Sequence, residues 1–122
     1  MKSALVVDDS ETMRSLIKSL IEEVGDIDVL EASTGFEALK ILPYEPFDII
    51  ILDINMPDIH GLELMNFIKT NERYKDIPVI FVSTERSEED RKKGMSLGAF
   101  AYLTKPFKAE ELQVAVKKAL SL

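Results

Sequence analysis

Carboxylates follow two apolar segments of this chain directly. Asp8 and Asp9 come after the segment Ala4–Val7, and Asp53 comes after Ile49–Leu52. If these segments are neighbouring strands, about 4.8 Å apart, the three carboxylates converge. Each aspartate taken alone is explained as a helix or turn cap, but three repelling charges from separate segments favour a bound cation. Oxygen-only ligands are typical of Mg²⁺ or Mn²⁺, so the sequence predicts a site for one of these metals.

A hydroxyl and an ammonium group follow two further apolar segments. Ser83 comes after Val79–Val82, and Lys105 comes after Ala101–Thr104. Taken alone, Lys105 is explained as a surface lysine before a turn proline. In a regular sheet, however, it stands two strand spacings from Asp53, about 10 Å, and its long side chain can cross that gap. A nucleophilic carboxylate, a metal, a point charge and a hydroxyl donor together predict phosphoryl chemistry.

Strand and helix patterns alternate along the whole chain. The predicted strands are Ala4–Val7, Val29–Ala32, Ile49–Leu52, Val79–Val82 and Ala101–Thr104. The clearest helix has an apolar stripe at helical spacing from Met13 to Val24, between Ser10 as N-cap and Gly25 as stop. Further helices are predicted after a capping box at Thr34 and before Pro43, over Gly61–Thr70, over about Ser87–Leu97, and around Leu112–Leu120.

This alternation predicts an α/β fold with a doubly wound parallel sheet and helices on both faces. Function in such sheets lies outside the carboxyl ends of the strands, which is where the polar residues above are predicted to lie. At 122 residues the chain is long enough for one domain with its own core, so we expect residues 1–122 to form a single domain.

The fourth predicted helix is weakly anchored. Met95 and Leu97 are its large apolar side chains, and Gly94 inside it costs about 1 kcal/mol relative to alanine. We therefore expect this helix to be the least protected one, and Gly94→Ala to stiffen it.

Composition excludes several classes of function. The chain has no cysteine and one histidine, which excludes disulfides, thiolate chemistry and multi-histidine metal sites. The net charge of −7 disfavours binding to nucleic acid or to an anionic membrane. The N-terminal apolar run is too short for a signal peptide, and no run has membrane length. We expect a cytoplasmic protein, monomeric, with neither nucleic acid nor membrane as partner.

Four motifs together resemble those of the response-regulator receiver domains. They are "VVDDS", "ILDINMP", "VIFVST" and "YLTKPF", in the order and at the spacings of that family, and the likeness extends over essentially all 122 residues. The resemblance implies a stand-alone receiver domain. It also implies a flavodoxin-like fold, with a five-stranded parallel sheet in the order 2-1-3-4-5 and five helices.

The resemblance also implies the roles of the polar residues. Asp53 is the implied phosphoacceptor. Lys105 pairs with a phosphoryl oxygen, and its bond to Pro106 is expected to be cis. The implied ligands of Mg²⁺ (or Mn²⁺) are Asp9 and Asp53 directly, Asp8 through water, and the backbone carbonyl of Asn55.

Further positions match those that bind the phosphoryl group or report on it in the family. Ser83 is the implied switch hydroxyl and Tyr102 the implied switch aromatic, although Tyr102 is also explained as a half-buried strand residue. Thr84 lies at the phosphoryl-binding site, where the family mostly has alanine or glycine, so access is expected to be narrower. Asn55 and Glu85 occupy positions that tune dephosphorylation.

Two other residues depart from the family pattern. His60 precedes Gly61, where the family often has a small polar residue. We interpret it as a solvated turn residue and not as a phosphorelay histidine. Lys108 stands where a small capping residue is usual, so a poor helix cap is expected there.

The implied function is that of a response regulator in a two-component or phosphorelay system. A histidine kinase or phosphotransfer protein donates the phosphoryl group. The face formed by helix four, strand five and helix five then changes and controls a binding partner, with chemotaxis as one candidate pathway. We expect no enzyme activity beyond self-catalysed phosphotransfer and autodephosphorylation.

Two alternatives stay open on the sequence. A small Mg²⁺-dependent aspartyl-phosphate phosphatase of the haloacid dehalogenase type needs a second acid where this chain has Asn55. A flavin-binding, flavodoxin-like module needs a first loop that cradles phosphate, and the two aspartates of "VVDDS" would repel that phosphate.

Overall fold

The computed structural model describes residues 1–84 and 88–122. That part of the chain contains a parallel sheet and helices in strict alternation. The strands are β1 (Lys2–Val7), β2 (Ile27–Ala32), β3 (Ile49–Leu52), β4 (Val79–Ser83) and β5 (Ala101–Thr104). The helices are α1 (Glu11–Val24), α2 (Gly35–Ile41), α3 (Gly61–Thr70), α4 (Glu88–Ser96) and α5 (Ala109–Ala119), with a short 3₁₀ helix at Leu42–Tyr44. The predicted strands are confirmed, and β1, β2 and β4 are each longer by one or two residues.

The strand order is β2-β1-β3-β4-β5, and every neighbouring pair is parallel, as the resemblance implies. The register of the central strands aligns their carboxyl ends. Val7 pairs with Leu52, and the amide of Asp53 donates to the Val7 carbonyl at 3.0 Å. Ser83 pairs with Thr104 at the end of the β4–β5 ladder. The residues that follow β1, β3, β4 and β5 therefore meet at one edge of the sheet.

Alternate residues of each strand fill two separate cores, one on each face of the sheet. One face packs against α1 and α5, and its strand residues include Ala4, Val6, Ile49, Ile51, Ile80 and Val82. The other face packs against α2 and α3, and its strand residues include Leu5, Val7, Ile50, Leu52, Val79 and Phe81. Because both faces are covered, β3 has no exposed residue. This buried strand holds the next residue, Asp53, in a fixed position.

Local side-chain caps define where the first two helices begin. Ser10 Oγ accepts a hydrogen bond from the Met13 amide at 3.2 Å, and Gly25 follows the last turn of α1. Thr34 Oγ1 accepts from the Glu37 amide at 3.0 Å at the start of α2. The predicted caps at Ser10 and Thr34 are confirmed.

The caps of α3 and α5 use less common residues. His60 is exposed, as expected, and its Nδ1 also accepts from the Leu62 amide at 3.2 Å, so it is the N-cap of α3. The Lys108 side chain makes no cap hydrogen bond, but the Glu111 carboxylate accepts from the Lys108 amide at 2.9 Å. Ser87, the predicted start of the fourth helix, lies outside the described residues. None of the helices within the described ranges is long and apolar enough to span a membrane.

Gly94 is buried where α4 crosses the sheet. A Cβ at this position would lie 3.1 Å and 3.2 Å from two ring carbons of Phe81 and 3.6 Å from one of Tyr102. Alanine at this position is expected to stiffen α4, but the added methyl group would also press on a buried ring, and the freedom of that ring to move decides the sign of the net effect.

Candidate functional site

The three predicted carboxylates meet at the carboxyl edge of β1 and β3. Asp8 is 1% exposed, Asp53 is 5% exposed, and Asp9 is exposed. One oxygen from each of them lies within 4.8 Å of the others. Their convergence follows from the pairing of β1 with β3, which places Asp8 and Asp53 on adjacent strands.

Lys105 reaches these carboxylates from β5, passing the end of β4. Its Nζ lies 2.7 Å from Asp8 Oδ2 and 3.5 Å from Asp53 Oδ2. The backbone amide of Lys105 donates to the Ser83 carbonyl at 2.8 Å, which continues the β4–β5 ladder. The Lys105–Pro106 bond is cis, as expected. The predicted crossing of two strand spacings by the lysine side chain is thus seen in the structure.

The electrostatic environment of Asp53 is balanced between opposing effects. Burial raises the pKa of its carboxyl above the ordinary value, and the charge of Asp8 adds to that rise. The Lys105 ammonium lowers the same pKa, as do hydrogen bonds from the Ser83 hydroxyl and the Asn55 amide. The net direction of the pKa shift is upward, so burial and the neighbouring charge disfavour the ionised form of Asp53, and a further cation would relieve this.

The donor set fits a divalent cation. Three carboxylates and one ammonium group leave two formal negative charges in a small volume. All the candidate side-chain ligand atoms are carboxylate oxygens, which suit Mg²⁺ or Mn²⁺ and not softer metals. Among the described residues, this trio is the cluster of acidic side chains that could hold a metal ion.

Asp8 is held by hydrogen bonds to both of its carboxylate oxygens and to its backbone carbonyl. Asp8 Oδ1 accepts from the Ser10 amide at 2.9 Å, while Oδ2 faces Lys105. The Arg14 guanidinium donates to the Asp8 carbonyl at 2.7 Å and pairs with Glu31 at 3.3 Å. Sequence reasoning missed Arg14. In the sequence, Arg14 is a cation near the start of an amphipathic helix, and such a pattern indicates only a surface charge.

The β3–α3 loop follows the candidate nucleophile and returns to it. The Gly61 amide donates to the Ile54 carbonyl at 2.7 Å, so the start of α3 closes the loop. A Cβ on Gly61 would overlap the carbonyl oxygen of Asp53, so only glycine fits there. Asn55 is exposed beside the site, and its amide lies 3.4 Å from Asp53 Oδ1. Sequence reasoning treated Gly61 only as the start of a helix.

Two further predicted residues, Ser83 and Thr84, lie at this edge. Ser83 is fully buried and donates its hydroxyl hydrogen bond to Asp53. Thr84 is exposed immediately after β4. Glu85 lies outside the described residues. The Ser83 hydroxyl, which we predicted to approach the carboxylates, therefore contacts Asp53 directly.

Tyr102 lies on β5, below this edge. It is 7% exposed, so it is more buried than a half-buried strand residue. Its ring centroid lies 5.9 Å from that of Phe81, at an interplanar angle of 48°. The Tyr102 ring thus belongs to the layer of side chains beneath α4.

Comparison with known proteins agrees with this fold. The family model of the response regulator receiver domain matches residues 4–117. A chemotaxis protein CheY homolog of Campylobacter jejuni is 38% identical over 117 residues, which are 95% of this chain and 90% of that protein. Protein PilG of Pseudomonas aeruginosa is 43% identical over 114 residues, covering 93% of this chain and 83% of that protein.

A solved structure shows the same architecture. The chemotaxis response regulator CheY4 of Vibrio cholerae is similar with a TM-score of 0.88 and 34% identity, covering 98% of this chain and 99% of that one. This chain therefore belongs to the response regulator receiver domain family, a class of signalling proteins. Its relatives include chemotaxis proteins, and this assignment favours a signalling role over the phosphatase and flavin-binding alternatives.

Proposed function

We propose that residues 1–122 form one receiver domain that accepts a phosphoryl group on Asp53. The observation that carries this proposal is the position of Lys105. Its Nζ lies 2.7 Å from Asp8 and 3.5 Å from Asp53, inside a cluster of three carboxylates. A cation here, with its side chain 11% exposed, stabilises negative charge that develops on transferred phosphoryl oxygens.

The donor is a phosphohistidine on a histidine kinase or phosphotransfer protein. A carboxylate oxygen of Asp53 attacks the phosphorus atom in line with the leaving imidazole. The new O–P bond forms as the N–P bond breaks, and the electron pair of that bond returns to the imidazole nitrogen. The covered strand β3 holds the nucleophile in position throughout.

Magnesium would be held by residues that follow β1 and β3. Asp9 and Asp53 would bind it directly, with the backbone carbonyl of Asn55 as a third ligand. Asp8 would contribute through water, because both of its carboxylate oxygens already face donors, the Ser10 amide and Lys105. When bound, Mg²⁺ supplies charge neutralisation between the anionic donor and the anionic acceptor.

Phosphorylation would be coupled to an output surface through Ser83 and Tyr102. The Ser83 hydroxyl, which is hydrogen-bonded to Asp53 in this structure, would turn toward the phosphoryl oxygens. Tyr102 would respond in the side-chain layer beneath α4, with the α4–β5–α5 face as the surface that a partner reads. Thr84 would narrow access to the phosphoryl group, since it is exposed next to Ser83.

The phosphorylated form would decay by attack of water on the acyl phosphate. Asn55 and Glu85 would tune the rate of that attack. In this proposal the protein is a cytoplasmic, monomeric signalling protein and no enzyme with a separate substrate. The chemotaxis relatives support a target in the control of motility.

Phosphorylation from acetyl phosphate tests the acceptor. Incubation with Mg²⁺ followed by intact-protein mass spectrometry should give one phosphorylated species in the wild type and none in Asp53→Asn. Asp26→Asn is the matched control, because it removes the same charge from an exposed loop at the opposite edge of the sheet. Lys105→Arg should leave transfer partly intact while breaking the coupling to the output face, since a planar fork does not replace a point charge.

The result that would overturn the proposal is a phosphorylated product in Asp53→Asn that matches the wild type. The acceptor would then lie elsewhere. Failure of the wild type to gain a phosphoryl group, with Mg²⁺ and acetyl phosphate both present, would count against the proposed chemistry itself.

A further inference from the structure

The tip of the β3–α3 loop is attached to the first turn of α2. Asp58 Oδ1 accepts from the Gly35 amide at 3.1 Å, and Oδ2 accepts from the Phe36 amide at 2.8 Å. These amides have no partner within α2, because the first amides of a helix point away from its hydrogen-bonded turns. One carboxylate from a distant loop thus satisfies two of them, while Thr34 caps the Glu37 amide.

The same contact is closed by apolar packing at Gly35. Gly35 is buried, and a Cβ on it would lie 2.8 Å from Ile59 Cβ. The side chain after Asp58 therefore approaches the α2 backbone more closely than any residue other than glycine would allow. The loop tip and α2 form one packed unit, and the contact depends on both Asp58 and Gly35.

The loop is held at its base as well as at its tip. The Gly61 amide donates to the Ile54 carbonyl at 2.7 Å, which closes the base. Between base and tip lie Asn55, Met56 and Pro57, and the Asn55 amide lies 3.4 Å from Asp53 Oδ1 in the carboxylate cluster. Their backbone is therefore restrained from both sides, although Asn55 and Pro57 are themselves exposed.

We propose that Asp58 is a positioning residue that holds the Asn55 carbonyl in place for the metal ion. This inference rests on the proposed function, in which that carbonyl is a metal ligand. A ligand on a free loop must be ordered when the metal binds, and the ordering opposes binding. Anchoring the loop tip to α2 removes part of that penalty before the metal arrives.

The electrostatics of the contact support this role. Hydrogen bonds from the Phe36 and Gly35 amides hold the pKa of the Asp58 carboxyl below its ordinary value, against a smaller opposing effect of burial. The carboxylate is therefore ionised at neutral pH, where it also faces the positive end of α2. Asparagine at this position keeps the shape but loses the charge and one of the two acceptors.

Magnesium titration of three variants tests the inference. Asp58→Ala removes the anchor, Asp58→Asn weakens it, and Asp26→Asn removes a matched exposed charge far from the loop. Amide shifts of Asp9 and Asp53 follow Mg²⁺ binding by NMR. We expect the Kd for Mg²⁺ to rise about 3- to 10-fold in both Asp58 variants, at or below the low end of the roughly 10- to 100-fold effect of losing an outer-shell partner, because Asp58 acts through the loop backbone. Asp26→Asn should leave the Kd unchanged.

A second readout separates positioning from loss of stability. The initial rate of phosphorylation by acetyl phosphate should fall in Asp58→Asn at low Mg²⁺ and return to the wild-type rate at saturating Mg²⁺. An Asp58 that only stabilises α2 would lower the melting temperature without changing the Kd, and that result would overturn the inference. A rate that stays low at saturating Mg²⁺ would overturn it too.

The two proposals fail in different ways. Wild-type protein that shows no Mg²⁺-dependent shifts at Asp9 and Asp53 would refute the metal site itself. Wild-type binding with an unchanged Kd in Asp58→Asn would refute only the positioning role. The Asn55 and Met56 amide shifts in metal-free Asp58→Asn give a check that needs no metal, because release of the loop tip should move both resonances.

Discussion

Replacing Gly94 with alanine brings two energetic effects of opposite sign into one buried position. Alanine is favoured over glycine inside a helix by about 1 kcal/mol. The added methyl group, however, would lie 3.1 Å and 3.2 Å from carbon atoms of the Phe81 ring. The optimal separation of non-bonded carbon atoms is about 3.5–4.0 Å. Either α4 or the Phe81 ring must therefore move by a few tenths of an ångström.

The Phe81 ring has little freedom to move. It is fully buried, and it packs against Tyr102 with ring centroids 5.9 Å apart. Overpacking a well-filled core destabilises by about 1–3 kcal/mol. Set against the propensity gain of about 1 kcal/mol, Gly94→Ala should lower the free energy of unfolding by roughly 0–2 kcal/mol.

A pair of variants at an exposed position of the same helix isolates the contact. Lys92 is exposed on α4, so the difference between Lys92→Ala and Lys92→Gly measures the local propensity alone. That pair should differ by about 1 kcal/mol in favour of alanine. Urea denaturation followed by circular dichroism gives each value, and combining Gly94→Ala with Phe81→Leu should recover part of the loss.

A packing penalty at Gly94 would be refuted if Gly94→Ala stabilised the protein by as much as the exposed pair predicts. The ring would then yield without penalty, and the close approach of α4 would not depend on glycine. A loss that the Phe81→Leu background leaves unchanged would also show that the strain lies somewhere other than this ring.

Two further outcomes concern the acidic residues. Asp9→Asn should weaken Mg²⁺ binding by about 10-fold or more, because it removes a proposed direct ligand, and NMR titration checks this; an unchanged affinity would contradict the assignment of Asp9. Asp58 has a pKa lowered from 3.8 in the folded protein, so its ionised form contributes stability above that pH and loses it as pH falls through the lowered value. Asp58→Asn should therefore lower the melting temperature at pH 7, and the deficit should shrink below pH 3.8; a deficit that does not change with pH would argue against the charged contact.

Much of the architecture could be predicted because strands, helices and their caps depend on patterns between residues that are close in the sequence. Apolar segments such as Ile49–Leu52 have the composition of strands covered on both faces, and the helical stripe from Met13 to Val24 has one period throughout. The caps at Ser10 and Thr34 depend on contacts three residues apart, so the sequence alone locates them. The placement of Asp53 at a strand end belongs to the same class of local information.

The strand order needed more than local patterns. Periodicity alone does not say that β1 lies beside β3, and the convergence of Asp8 with Asp53 depends on that neighbour relation. The four motifs supplied the order through resemblance to a family. Lys105 was predicted to reach the carboxylates, but its 2.7 Å contact with Asp8, shorter than that with Asp53, is a property of the folded edge.

Close approaches between distant segments were decided by tertiary structure alone. Gly94 is an unfavourable helix residue in the sequence, and only the folded structure shows that a Cβ at this position would crowd the Phe81 ring. Asp58 is an ordinary turn acid in the sequence until the fold brings it to the amides of Gly35 and Phe36, more than twenty positions earlier in the chain. Local patterns carry propensity and burial, whereas such contacts depend on how whole elements pack, which no short stretch of residues encodes.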